Sequence, residues 1–282
     1  MQVDYELLKM AAYCNAFEVR AAESYNDGYV NPPVYLSIGT EHIAATLYRY
    51  AEPFKLFAQH RCHSYFLCSN MDHESHKSLI RELCGLPTGC NNGMGGSASI
   101  SNENMFGHSG LLGDQVPIAI GYAHASRKPT VCVLGDAAAE EDYVLGALGF
   151  AATHNVPILF ICEDNNLSIL TETKVRRSWK IANVTAAMKI RTMSVTGDQF
   201  ISGSLIRKFF NSPFPTFINV SCRRGCWHAG VGPDVMYNDI LVNYLHELTD
   251  KDYDYIINSV DDMWTSVERE CDEIKRCNKR DN

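Results

Sequence analysis

Four short apolar runs from residue 130 onward constrain the fold of this chain more than any other feature. TVCVLGD (130–136), PILFICEDN (157–165), IRTMSV (190–195) and TFINVSC (216–222) are rich in β-branched residues, and each closes on polar ones. Runs that stay apolar on consecutive positions, without alternation, suit strands buried on both faces. Stretches with helical spacing lie before and between them, at 114–127, 140–154 and 198–210. This order predicts right-handed crossovers and a doubly wound α/β fold with a mainly parallel sheet. Ligands of such sheets sit beyond the carboxyl ends of strands, near the point where strand order reverses. The residues just after each run are therefore the candidates for chemistry.

Gly135-Asp136-Ala137-Ala138-Ala139-Glu140-Glu141 follows the first run and opens a helix. Small residues let backbone N–H groups approach an anion, and a divalent cation would reconcile Asp136 with a phosphate. The second run ends in Glu163-Asp164-Asn165-Asn166-Leu167, on the same sheet edge. An Asp carboxylate, an Asn amide oxygen and a backbone carbonyl are hard donors that suit Mg²⁺, with diphosphate and water completing the octahedron. The same residues would also serve as an Asp N-cap and an Asn-rich turn, and spacing leaves both readings open.

Residues 5–26 and 41–58 carry apolar positions at helical spacing, so segment 1–60 reads as helical. The tail 238–282 reads as amphipathic helix, with Met263, Val267, Cys271 and Ile274 on one face, packing on the domain or on a partner. No linker, repeat or low-complexity tract divides the chain, which predicts a single domain over 1–282. A formal charge of −8 leaves no global positive field for nucleic acid or an anionic membrane. The acidic N-terminus and the lack of a long apolar run argue against a signal peptide or a membrane span, so a soluble cytoplasmic protein is expected. The 11 cysteines lack C-x-x-C spacing and read mainly as buried reduced thiols.

GD followed by NN at the ends of adjacent strands resembles the thiamine-diphosphate binding motif. The flanking segments narrow the resemblance to the alpha subunit of the 2-oxo acid dehydrogenase first component, and it runs from about residue 5 to about residue 240. Tyr35-Leu36-Ser37-Ile38-Gly39-Thr40-Glu41 looks like that family's Gly-Gln-Glu-Ala segment, and His60-Arg61-Cys62-His63 is similar to its Tyr-Arg-x-His. Gly93-Met94-Gly95-Gly96-Ser97 resembles Gly-x-Gly-Gly-Ser, and Gly110 to Pro117 resembles Gly-x-x-Gly-x-Gln-x-Pro. Arg223-Arg224-Gly225-Cys226-Trp227-His228 resembles a closing Tyr-Arg…Gly-His segment.

The resemblance implies the diphosphate-binding half of the fold, with thiamine diphosphate and Mg²⁺ as cofactors. Asp136, Asn165 and the Leu167 carbonyl would hold the metal, while Arg61 and the backbone of Gly135, Asp136, Ala137 and Ala138 would hold the diphosphate. Gly110 and Leu112 would meet the aminopyrimidine, with Leu112 wedging the cofactor into its bent shape. His63 and His228 would act over the thiazolium as catalytic acid–base groups, although a lone loop histidine is more often a satisfied structural residue. A beta subunit would supply the activating glutamate in an α2β2 heterotetramer. The implied reaction is decarboxylation of a 2-oxo acid, with transfer of the acyl or aldehyde unit to an acceptor such as a lipoyl domain. A transketolase-like or carboligase subunit that uses an aldehyde, ketone or sugar acceptor is the alternative, and a cofactor-free regulatory homologue is a third. Four departures motivate the alternatives: Ala137 for the last Gly of GDG, Asp164 for the first Asn of NN, Ser99 for a usual His, and an unusual loop at 229–234.

Overall fold

The computed structural model describes residues 3–51, 53–234 and 240–278. Helix α1 (Tyr5–Asn26) starts where the Asp4 side chain accepts hydrogen bonds from the Glu6 and Leu7 amides, satisfying two otherwise orphan donors. It is followed by α2 (Glu41–Ala51), β1 (Lys55–Phe57), α3 (His63–Ser69), α4 (His73–Leu83) and β2 (Met105–Phe106). Next come α5 (Gln115–Ser126), β3 (Thr130–Gly135), α6 (Asp142–Thr153), β4 (Leu159–Asp164) and a small hairpin of β5 (Leu167–Ser168) with β6 (Thr171–Glu172). The chain continues through α7 (Thr173–Arg176), α8 (Ile181–Ala187), β7 (Arg191–Thr196), α9 (Gly203–Phe210) and β8 (Thr216–Ser221) to α10 (Asp250–Asn278).

Six strands form one sheet in the order β2-β1-β3-β4-β8-β7, with every neighbouring pair parallel. Side chains of the central strands alternate between two cores. Val131, Val133, Leu159, Ile161, Ile218 and Val220 pack among residues of α1 to α4, α9 and α10. Cys132, Leu134, Phe160, Cys162 and Phe217 pack against α5, α6 and α8 on the other face. Both faces are covered, which is why the middle of each of these strands is apolar on consecutive positions.

The sheet holds two strands that the sequence pattern conceals. The expected helix over 41–58 stops at Ala51, because Pro53 has no N–H to continue it, and the chain turns into β1. β1 and β2 span only three and two residues, too few for a recognisable period. The run 190–195 does form β7, but at the sheet edge and half exposed, with β8 as its neighbour. The helix expected over 198–210 begins only at Gly203. In the tail, Met263, Val267 and Cys271 are buried as expected, whereas Ile274 is 44% exposed. α10 packs on the chain itself, through Trp264 against Phe17 and through ion pairs of Arg20 with Glu268 (2.7 Å) and Arg81 with Glu270 (2.9 Å). Positions 238, 239 and 279–282 of that tail lie outside the described residues. All 11 cysteines are free thiols, eight of them buried. No described helix is long and apolar enough to cross a membrane.

Candidate active site

Strand order reverses between β1 and β3: β1 pairs with β2 on one side, while β3 leads to β4 on the other. The register sets Gly135 beside Glu163 and Asp164 beside Ser221, so the carboxyl ends of β1, β3, β4 and β8 share one edge. A cavity of about 420 Å³ opens there. Gly135, Asp136, Ala137 and Ala138 line it from the end of β3 and the turn after it, Asn165 and Leu167 from just beyond β4, and Gly110 and Leu112 from the loop before α5. Arg61 after β1 and His228 after β8 close it from the other side. Residues more than 160 positions apart in sequence thus converge because parallel strands deliver their ends to the same place.

His63 is not among the cavity-lining residues. As the first residue of α3 it is fully buried, with Nδ1 3.1 Å from Glu18 Oε2 and Nε2 2.9 Å from Ser97 Oγ. It is a satisfied core histidine that ties α1 to the loop carrying Ser97. Ser97 Oγ in turn accepts a hydrogen bond from the Tyr35 amide at 2.7 Å, and Tyr35 does line the cavity. The Gly93-Met94-Gly95-Gly96 loop before Ser97 is built around Glu82. This fully buried carboxylate accepts hydrogen bonds from the amides of Asn91 (2.7 Å), Gly93 (2.8 Å), Gly95 (2.7 Å) and Gly96 (3.1 Å). A Cβ on Gly95 would fall 2.2 Å from the Ser99 carbonyl oxygen, so only glycine fits there.

One end of the cavity is acidic. Asp136 is 2% exposed, and its Oδ2 accepts from Arg176 Nη2 at 2.6 Å and from Thr173 Oγ1 at 3.2 Å. Burial and the neighbouring Asp164 push its pKa up to about 6 against the pull of Arg176, which also pairs with Glu140. Asn165 Oδ1 accepts from the Leu167 amide at 3.0 Å, an Asx turn that folds the strand end back on itself. Glu163 also lines the cavity, held by Tyr65 Oη (2.6 Å) and Gln59 Nε2, and burial pushes it up to about 7.

The other end holds guanidinium and imidazole groups. Arg61 Nη2 donates to the His228 carbonyl (2.7 Å) and to its Nδ1 (3.2 Å), so Nδ1 is the acceptor and the ring proton sits on Nε2. Burial and the charges of Arg61 and Arg224 push His228 down to about 4, so it is neutral near pH 7. Arg224 Nη2 reaches the Ile169 carbonyl at 2.8 Å and ties the segment after β8 to the β5–β6 hairpin. His60, His108, Arg224 and Glu163 escaped the sequence reading as site residues. Each flanks or sits within a segment already singled out there, at Arg61, Gly110, Arg223 and Asp164.

The sequence profile of the dehydrogenase E1 component matches residues 10–204, more than half of the chain. The chain belongs to the dehydrogenase E1 component family. Within that family it is 31% identical over 160 residues to the pyruvate dehydrogenase E1 component subunit alpha of Chaetomium thermophilum, covering 55% of this chain and 38% of the relative. The human somatic form is 28% identical over 172 residues (59% and 43%), and the Zymomonas mobilis subunit is 30% identical over 164 residues (55% and 46%). The chain thus matches less than half the length of these curated relatives. A transketolase from Campylobacter jejuni superposes with a TM-score of 0.62 at 15% identity, over 96% of this chain and 48% of that one, a likeness of fold.

E1 components typically use thiamine diphosphate and Mg²⁺, and the cavity residues fit such a group. Asp136, Asn165 and the Leu167 carbonyl are hard oxygen donors lining one cavity. The departure at Ala137 is harmless, because its φ of −70° is right-handed and no positive φ is demanded of it. Asp164 serves a turn and a strand tie, accepting from the Asn166 amide and from Asn219 Nδ2, both at 3.1 Å.

Proposed function

We propose that this chain is the alpha-type, diphosphate-binding domain of a thiamine-diphosphate-dependent enzyme that decarboxylates a 2-oxo acid. The observation that carries the reading is convergence: ten residues singled out from the sequence line one cavity at the strand-order switch point. Asp136, the Asn165 amide oxygen and the Leu167 carbonyl would hold Mg²⁺, and Arg61 would add positive charge beside the Gly135–Ala138 backbone at the diphosphate. Gly110 and Leu112 would contact the aminopyrimidine. When bound, the cofactor supplies the nucleophile and the electron sink. His228, neutral with its proton on Nε2, can donate a hydrogen bond from that nitrogen to an oxygen on which negative charge develops. His63 supports the wall through Ser97 and Tyr35 and takes no proton-transfer role.

A beta subunit would complete the site with the activating glutamate in an α2β2 assembly, and a lipoyl group is the acceptor that the family reading implies. Transfer to an aldehyde, ketone or sugar acceptor is the second reading, motivated by Ser99 and the loop at 229–234, where the chain departs from the family pattern. The metal assignment is tested by titrating thiamine diphosphate with Mg²⁺ into the co-expressed complex of this chain and its beta subunit. Asp136→Ala is expected to weaken binding by about 100-fold or more, since it removes the sole charged metal ligand. Unchanged affinity would refute the assignment.

A further inference from the structure

Arg176 acts on the acidic end of the cavity without lining it. It is the last residue of α7, and a hydrogen bond from the Thr173 amide to the Asn166 carbonyl (3.0 Å) fastens that short helix to the segment carrying Asn165 and Leu167. Asp136 lines the cavity, whereas neither Arg176 nor Thr173 does. The guanidinium reaches Asp136 Oδ2 at 2.6 Å, and Thr173 Oγ1 donates to the same oxygen at 3.2 Å. Side-chain exposures of 13% and 2% leave little water to screen this ion pair. Glu140 takes Arg176 Nη1 and lies 3.2 Å from Arg177 Nε, and the Arg177 guanidinium carbon lies 4.5 Å from the centre of the Trp179 ring.

The ionic balance at this end is unlike that of a site that attracts a bare divalent ion. Asp136 and Glu140 are each paired with a guanidinium, and Asp164 directs its oxygens to the Asn166 amide and to Asn219 Nδ2, both at 3.1 Å. Three carboxylates against two guanidiniums leave one net negative charge. The remaining metal donors of the proposed site, the Asn165 amide oxygen and the Leu167 carbonyl, are neutral. A divalent ion arriving alone brings more positive charge than this cluster can balance, into a place with little water. Its repulsion from Arg176 acts whichever oxygen of Asp136 it takes. A diphosphate arriving with the ion supplies the missing negative charge.

We propose that Arg176 couples metal binding to diphosphate binding: by neutralising Asp136 it denies the site to a bare divalent cation, and the metal is held only together with the diphosphate. The inference rests on the proposed metal role of Asp136. Arg176 acts through that carboxylate, as a positioning residue. Coupling of this kind is reciprocal, so the factor by which the diphosphate raises metal affinity is also the factor by which the metal raises diphosphate affinity. When Arg176 is replaced, Thr173 Oγ1 still donates to Oδ2, so the carboxylate keeps a donor that orients it and the change that is read is one of charge.

The test titrates Mn²⁺, an oxygen-preferring ion whose free form is counted by electron paramagnetic resonance, into the complex with the beta subunit freed of cofactor, with and without thiamine diphosphate. Wild type is expected to hold Mn²⁺ about 100-fold more tightly with the cofactor than without it. Arg176→Gln removes the charge and should tighten Mn²⁺ binding without cofactor by about tenfold or more, while affinity with cofactor shifts by less than about threefold. Arg176→Lys keeps the charge and should stay within about threefold of wild type in both conditions. Tight Mn²⁺ binding by wild type without cofactor overturns the inference with no variant needed, so a substitution that disturbs folding does not shield it. Unchanged or weaker Mn²⁺ affinity in Arg176→Gln, equal tightening with and without cofactor, or an Arg176→Lys variant that behaves like Arg176→Gln overturns it as well. In each of these cases the metal assignment stands if Asp136→Ala abolishes Mn²⁺ binding in the presence of cofactor. An Asp136→Ala variant that holds Mn²⁺ like wild type, or a wild-type complex that binds no cofactor, overturns both.

Discussion

Glu82 carries more of the site's architecture than its distance from the cavity suggests. Its two oxygens accept four backbone N–H groups, all from the turn that leads to Ser97. Ser97 then fixes Tyr35, and Tyr35 stands against His60 and His228. Glu82→Ala would leave those four donors without their acceptor, at a cost of about 3 kcal/mol or more by the usual penalty for orphaned buried groups. Glu82→Gln should be nearly as damaging, because its NH2 would face amides that also donate. Urea unfolding of wild type and both variants checks this, and a glutamine variant as stable as wild type would show that the charge-assisted pattern is dispensable. The residue scale also explains Ala137, whose backbone is right-handed and asks nothing that only glycine provides.

Among the elements, α2 carries a latent sensitivity to acid. His42 is 1% exposed, and among the described residues neither of its ring nitrogens has a partner, while its ring meets Phe200 edge-on at 5.8 Å. Burial lowers its pKa from 6.5 to about 4. The unfolded chain therefore binds more protons than the folded one between those values, so stability falls as pH drops from about 6.5 to about 4. The loss from this group is on the order of 3 kcal/mol, and His42→Leu should flatten the acid limb of the stability curve relative to wild type. Unfolding midpoints at pH 7 and pH 5 decide it, and parallel curves would exclude His42 as the source. Elements also set what the sequence could reveal. β3, β4 and β8 were legible because each is six residues long and buried on both faces, which forces a continuous apolar run. β1 and β2 were not, since pairs and triplets of residues have no period and take their strand form from neighbours. The site followed the same division. Asp136 and Asn165 sit at ends of legible strands, whereas the placement of His60 in the cavity and of His63 in the core depends on how α3 packs against α1 and the Ser97 loop.

For the molecule as a whole, incompleteness is the governing property of the proposed chemistry. In the proposed reading the cavity would take diphosphate and metal, and the carboxylate that activates the aminopyrimidine would come from the beta subunit. The chain alone is expected to bind thiamine diphosphate weakly or not at all, and its complex with a beta subunit to bind it saturably and only with Mg²⁺. Calorimetry of the two preparations checks this, and tight binding by the isolated chain would overturn the two-subunit site. The guanidinium of Arg176 on Asp136 adds a consequence for how that binding proceeds. Before any metal arrives, the buried carboxylate already has a monovalent counter-ion of its own. Mg²⁺ held by Asp136, as proposed, would therefore meet a carboxylate whose Oδ2 already carries a guanidinium, and would have to share or displace that partner. The segment carrying Arg176 would then be the part of the site whose position reports on metal loading.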